Sequence, residues 1–202
     1  MLRRRLRRPL ALSTVAHLAA HLREHPPTAA TEPERLLAAV ALCMVPDPDA
    51  ILLIQRAAHP DDPWSGQMGL PGGRREPVDD DLIATAIRET AEELGVRIDR
   101  SMLVSALDDV YPRIPVASPF LVRPFLFSLP SRQALTPSEE VASAEWLPLT
   151  RLLDPAIYQT VTLTVGGMER VVPGYVLDAD RIIWGMTERV LTPVLEVLRR
   201  GS

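Results

Sequence analysis

The stretch from Leu70-Pro71-Gly72-Gly73 through Gly95-Val96 constrains this chain more than any other. From about Asp81 to Leu94 it has the apolar spacing of an amphipathic helix, and it stops at Gly95, a residue type that closes helices. At about 100° per residue, Glu93 falls near 40° from Glu89, Glu92 near 300° and Arg88 near 260°. Ile83, Ile87, Ala91 and Leu94 fall at about 120–200°, so the wheel predicts a core face opposite three carboxylates. Folding alone gives no reason for that cluster. Like charges at i,i+4 destabilise a helix, and its dipole disfavours acids near the C-terminus. A hard divalent cation such as Mg²⁺ or Mn²⁺ does give a reason, because it seeks clustered carboxylate oxygens. Arg88 can orient the acids through bidentate hydrogen bonds. The competing reading is a solvated helix face with Arg88 as a local ion-pair partner. Gly72-Gly73 weighs against it, since a backbone without side chains can approach closely and turn a carbonyl toward a metal.

The rest of the composition describes an ordinary soluble domain. The 202 residues are 47% hydrophobic and 24% charged, which excludes a disordered chain and a fibre. Aromatics are scarce at 4%, so the core must be aliphatic. The net charge of -4 argues against a general nucleic-acid binder. That charge is uneven: Arg3, Arg4, Arg5, Arg7, Arg8 and Arg23 face only Glu24 in the first 25 residues, giving +5 there and -9 in the remainder. Cys43 is the sole cysteine, which excludes an intramolecular disulfide and a multi-cysteine zinc site. It lies in the apolar run Leu36 to Val45, about half of what a bilayer span needs. Stable membrane insertion is not expected, and a cytoplasmic location is the default.

Residues 10–24 read as a helix ended by Pro26-Pro27, with a polar linker to Pro33. His17, His21 and His25 share one face of it and read as solvated, because no cysteine or carboxylate completes a metal set. Residues 1–30 are therefore expected to form a basic helix and linker ahead of a single domain over 31–202. Strands are expected at 36–45, 50–56, 102–107, 120–129, 144–147, 161–165 and 170–177. A loop is expected from His59 to Gly73 and a final helix over 187–200, kinked at Pro193. Strands mixed with few helices predict an α+β domain. Trp64 and Trp184 read as partly buried aromatics or as base-stacking groups, and the proline-rich stretch from Tyr111 to Pro119 as a rigid connection or a substrate-side loop.

Gly73, Arg88, Glu89, Glu92, Glu93, Gly95 and Val96 closely resemble the Nudix box, G-x5-E-x7-R-E-U-x-E-E-x-G-U, with U a bulky apolar residue. The chain departs from it by one extra residue between Gly73 and Arg88, by Asp79 for glutamate and by Thr90 at an apolar position. The longer spacing is similar to that of the coenzyme A pyrophosphatase-like branch. The likeness extends to residues 52–56, 65–73, 139–149 and 181–187, covering roughly 36–198. Within the coenzyme A signature, Arg56 and Gly66 fit. Ala57 replaces serine, Leu70 replaces phenylalanine, and an acid, Asp61 or Asp62, stands where a second arginine is expected.

This resemblance implies a Nudix-like α/β/α sandwich, with a mixed β-sheet between helices. It implies hydrolysis of the diphosphate linkage in a nucleoside diphosphate derivative, with Mg²⁺ or Mn²⁺ holding the attacking water. By resemblance, Glu89, Glu92, Glu93 and the Gly73 carbonyl are metal ligands, and Arg88 orients the acids. Glu92 is the first candidate for general base, with Glu139 or Glu140 second; an ordinary loop acid is the bland reading of those two. Arg56, Gly66, Gln67 and Gly72 are the implied substrate contacts. Coenzyme A or acyl-coenzyme A is the first substrate class. A nucleoside diphosphate sugar or a dinucleotide is the second, and a non-hydrolytic nucleotide-binding regulatory module the third. Homodimers are common in the family, so a homodimer is one implied assembly.

Overall fold

A computed structural model describes residues 14–28, 36–59, 65–113, 120–165 and 167–200. In chain order the elements are α1 (Thr14–Glu24), β1 (Leu36–Val45), β2 (Ala50–Arg56), β3 (Met68–Gly69), β4 (Gly72–Arg74) and α2 (Leu82–Leu94). There follow β5 (Leu103–Ala106), β6 (Phe120–Ser128), β7 (Val141–Pro148), α3 (Leu149–Leu153), β8 (Tyr158–Val165), β9 (Met168–Val176), β10 (Ile182–Trp184) and α4 (Gly185–Arg200). Short 3₁₀ turns at Arg100–Met102 and Pro155–Ile157 precede β5 and β8.

β1 is the centre because its residues are apolar on both faces, which suits a strand covered on both sides. It pairs in parallel with β6 along nine positions, Leu36 with Phe120 through Met44 with Ser128. Antiparallel to it run β2 and β4, while β7 and β3 extend the sheet from β2, and β5 from β6. The period of two sorts the side chains by face. Leu42, Met44, Ile51 and Leu53 join one core with Leu18 of α1 and Leu191, Val194 and Leu195 of α4. Ala41, Cys43, Leu52 and Ile54 join the other with Leu82, Ala86 and Leu94 of α2. The molecule is thus a mixed sheet between helices, as the α+β reading expects. A second sheet, β10-β9-β8, is antiparallel throughout and packs against α4 through β9 and β10.

Several boundaries differ from the sequence pattern. The loop expected from 59 to 73 contains β3 and β4, which hold on by backbone pairing (Ala39 with Gly73, Val40 with Gly72) rather than by an alternating pattern. β7 begins three residues before its expected start because Val141 pairs with Arg56. β8 starts at Tyr158 because its pairing to Tyr175 extends the hairpin past the apolar run. β10 and α3 are too short to show a period. α4 continues through Pro193, which lies on its exposed face. Residues 10–13 of the first helix, Trp64, Asp61, Asp62 and residues 114–119 lie outside the described residues. Among the described residues, no helix is long and apolar enough to cross a membrane.

Candidate active site

The site grows from α2 and what its two ends bind. Asp81 caps the N-terminus in an extended conformation, its carboxylate accepting from the Ala84 amide at 2.9 Å, a bond usually worth about 1 kcal/mol. Gly95 closes the other end at φ 67°, donating its amide to the Ala91 carbonyl. The two glutamates of the last turn thereby stand at a fixed height beside β4.

The helical wheel located the core face only in part, with Leu94 buried and Ile83 and Ile87 packed against the edge of that core. The buried residues are Leu82, Thr85, Ala86, Thr90, Glu93 and Leu94, while Ala91 is exposed and Ile83 and Ile87 are half-buried. Measured from Glu89, Leu82 falls near 20°, Ala86 near 60° and Thr90 near 100°, so Glu89 and Glu93 continue the buried stripe. α2 presses that stripe onto β1 and β4. Thr90 is tolerated at an apolar position because its hydroxyl donates to the Ala86 carbonyl at 2.7 Å.

Two glycines let β4 lie under these acids. At Gly72 (φ 149°) a Cβ would stand 2.2 Å from the Ala39 carbonyl oxygen, and its amide donates to Glu93 Oε2 at 2.9 Å. At Gly73 a Cβ would stand 2.4 Å from Glu89 Oε1. A side chain at Gly72 would strike the backbone of β1, and one at Gly73 would displace the Glu89 carboxylate. Burial pushes the Glu93 carboxyl up to about 7, the Gly72 amide opposing and the Glu89 charge adding to it. Burial raises Glu89 as well, with Arg88 opposing.

Arg88 gathers the acids. It donates to Asp79 at 2.9 and 3.0 Å, to Glu89 at 3.0 Å, to Glu92 at 2.8 Å and to the Arg74 carbonyl at 3.1 Å. Asp79 also accepts from the Glu76 amide at 2.9 Å and from the Thr85 hydroxyl at 3.0 Å. The Arg88 guanidinium, foremost among these partners, holds the Asp79 carboxyl down at about 2. The aspartate that departs from the sequence pattern thus occupies a built position. Asp79 and Thr85 were missed as site residues, because Asp79 reaches Thr85 and Arg88 from the loop ahead of α2, a closure that no periodicity reports.

The segment after β6 supplies the remaining acids. Gln133 grips the backbone of Arg97, accepting from its amide at 2.9 Å and donating to its carbonyl at 2.7 Å. The amides of Thr136 and Ser138 donate to the Leu94 and Glu93 carbonyls, both at 2.8 Å, satisfying the free end of α2. Glu89, Glu92, Glu93, Ser138, Glu139 and Glu140 accordingly line one cleft of about 400 Å³. Among the described residues, no three His, Cys, Asp or Glu side chains stand close enough around one point to hold a metal ion as placed. Glu92 is exposed and turned to Arg88. The donor set itself, five carboxylates beside the bare backbone of Gly73, suits a hard, oxygen-seeking divalent cation.

A second cleft, of about 450 Å³, opens on the other side of β4. Arg56, Gln67 and Gly72 line it, as does Gly73, which touches the acid cleft through Glu89. Gly66 does not line it; that glycine turns the preceding loop at φ 72°, its carbonyl accepting from Gln55. Trp184 and Met186 form apolar wall, and Pro112 and Arg113 bring in the start of the proline-rich stretch. The cleft arginines at 74, 113, 170 and 189 escaped the sequence reading, because they come from separate elements with no shared motif. Cys43 is fully buried, and burial pushes its thiol up to about 12, as expected of a structural residue.

An acidic helix laid against a glycine strand at the edge of a mixed sheet is the arrangement of an enzyme that handles phosphoric anhydrides. The model of the NUDIX domain matches residues 35–162. The chain belongs to the Nudix family, and it is a hydrolase acting on phosphorus-containing anhydrides. It is 32% identical to the mitochondrial coenzyme A diphosphatase NUDT8 of Homo sapiens, over 98% of this chain and 78% of that one. To the Mus musculus protein of the same name it is 30% identical, over 93% of this chain and 85% of the relative. An uncharacterised Schizosaccharomyces pombe protein is 42% identical over 52% of this chain, which spans 33% of that longer relative. The fold is also that of a MutT/nudix family protein from Enterococcus faecalis, with a TM-score of 0.55 at 16% identity over 96% of this chain and 75% of that one.

Proposed function

We propose that the protein is a Mg²⁺-dependent pyrophosphohydrolase that cleaves the diphosphate linkage of coenzyme A or acyl-coenzyme A. One observation carries the reading: an acidic cleft and an apolar, arginine-lined cleft meet at Gly73. A diphosphate lying across Gly73 would set its phosphorus beside the acids and its organic group among the apolar walls. Glu89, Glu92, Glu93 and the Gly73 carbonyl would hold the cation. Once bound, Mg²⁺ lowers the pKa of a water and neutralises charge on the phosphoryl oxygens.

The chain's own residues do the rest. Arg88 holds Glu89 and Glu92 on one guanidinium nitrogen, and Asp79 fixes that guanidinium from behind. Arg56 and Arg74 supply positive charge where the diphosphate would cross. The walls at Trp184 and Met186 exclude water from the organic group. Glu92 is the first candidate to accept the proton of the attacking water; Glu139 and Glu140, across the same cleft, are second. The catalytic unit in this reading is residues 31–202, working in the cytoplasm.

The test is a panel assay with Mg²⁺ on coenzyme A, acyl-coenzyme A, ADP-ribose, NADH and dinucleoside polyphosphates. Preferred turnover of the coenzyme A pair supports the proposal, and preference for a sugar or dinucleotide replaces its substrate. Glu92→Gln and Glu93→Gln should abolish metal-dependent hydrolysis with the thermal midpoint unchanged or raised. Full activity in both overturns the metal assignment, and binding without turnover on the whole panel indicates a regulatory module.

A further inference from the structure

The apolar cleft is lined by five arginines, Arg56, Arg74, Arg113, Arg170 and Arg189, and by a single acid, Glu188. In a chain of net charge -4 that is a concentrated positive surface. Arg74 adjoins Gly73, and Arg56 acts on Glu93, so those two belong to the diphosphate end. The other three come from the segment after β5, from β9 and from the N-terminal part of α4.

None of the three has an acidic partner within 4 Å among the described residues. Arg170 Nε is buried without a hydrogen-bond partner among the described residues, which costs free energy. Arg189 donates to the Tyr111 carbonyl at 2.6 Å, and its guanidinium is destabilised by burial and then by the charge of Arg113. The one acid is hydrogen-bonded elsewhere, since Glu188 Oε1 accepts from the Tyr158 hydroxyl at 2.7 Å and from the Thr192 hydroxyl at 2.9 Å, although its charge still partly offsets the destabilisation of Arg189. Residues of α4's first turn line the same wall, where the positive end of the helix dipole adds to the field. Three cations that share one cleft, with no acid in ion-pair contact among the described residues, are explained by an anion that arrives with the substrate.

We propose that Arg113, Arg170 and Arg189 form a second anion subsite, which takes a phosphate monoester carried on the nucleoside half of the substrate. This rests on the hydrolytic reading for its diphosphate end and adds a specificity determinant to it. A phosphate dianion matches the planar donor forks of guanidinium groups and satisfies the orphaned Arg170 nitrogen. Trp184, Met186 and Val172 provide apolar wall for a base and ribose between the two phosphate positions. The class of substrate selected is a nucleoside diphosphate derivative with an additional phosphate on its sugar.

The probe is adenosine 3′,5′-bisphosphate against adenosine 5′-monophosphate, titrated calorimetrically into the full chain with Mg²⁺. The bisphosphate should bind at least about tenfold tighter, and Arg170→Gln and Arg189→Gln should each cut that margin about fivefold or more. Arg170→Gln removes no side-chain hydrogen bond or ion pair found among the described residues, so its fold should survive unchanged in a thermal scan. Equal affinities in the wild type, both undetectable included, overturn the subsite, and so does a margin that persists in both variants. Hydrolysis of coenzyme A is scored separately. A margin without turnover leaves the subsite standing and removes the hydrolytic reading; turnover without a margin does the reverse.

Discussion

Replacing Asp79 with asparagine tests whether the acid site is held from behind. The Asp79 side chain is 3% exposed and receives four hydrogen bonds, two of them from Arg88. Its folded carboxyl sits at about 2 against an ordinary 3.8. That drop corresponds to about 2.5 kcal/mol of stability at about 1.4 kcal/mol per unit. An asparagine presents its amide either to Arg88 Nε or to the three donors at the other oxygen, and both orientations set donor against donor. For a chain of this size, about 2.5 kcal/mol lowers the thermal midpoint by about 5–10 °C. A group depressed on folding gives stability that is present above its unfolded value and lost as pH falls through its folded one. The gap between wild type and Asp79→Asn, read by scanning fluorimetry, should therefore be full at pH 7 and about halved at pH 3. A gap below about 2 °C at pH 7, or one that is constant from pH 7 to pH 3, would refute the reasoning.

Gly73→Ala places a methyl 2.4 Å from Glu89 Oε1, so Mg²⁺ affinity should drop at least about tenfold while the circular dichroism is kept; unchanged metal titration contradicts the cradle. For Glu93, pushed up by burial to about 7, the sign is opposite to that of Asp79: its charge costs stability above that value and nothing below its ordinary 4.5. In EDTA, Glu93→Gln should thus raise the midpoint at pH 8 and leave it unmoved at pH 4, which calorimetry reads directly. Cys43 should resist a disulfide reagent at pH 8 in the native protein and react on unfolding; fast native labelling contradicts its burial. Deleting residues 1–8 should leave turnover and solubility intact, and a loss of either assigns the basic segment a role.

The three helix acids of the site were legible because spacing along one helix is a local property. Glu89, Glu92 and Glu93 had to share an arc whatever they packed on, and Gly95 had to end it. Which way that arc faced was not legible. The wheel centred the core face on Ile83, Ile87 and Ala91 since they are apolar, whereas Ile83 and Ile87 only flank it, Ala91 is exposed, and the helix buries Leu82, Ala86 and Thr90 together with Glu93. Hydropathy assumes that carboxylates turn to water. Here the Gly72 amide receives Glu93, and Gly72-Gly73 leave the room for it, so a pattern rule fails where the chemistry sits.

The same logic separates the two clefts. Acids that must act on one cation within ligand distance tend to come from one element, because a helix fixes their mutual positions cheaply. Arginines that grip an extended organic anion must be spread along it, so they come from β2, β4, β9, α4 and the segment after β5, where only tertiary structure brings them together. The net charge of the chain therefore averages two opposed fields that meet at Gly73. Substrates that carry negative charge at both ends are the ones for which both fields matter: at one end the acids need a cation before they attract phosphate, while at the other the arginines already do. This asymmetry predicts that Mg²⁺ removal abolishes hydrolysis yet weakens binding of a distally phosphorylated nucleotide only slightly. A nucleotide that lost both together would show that one cleft, not two, governs recognition.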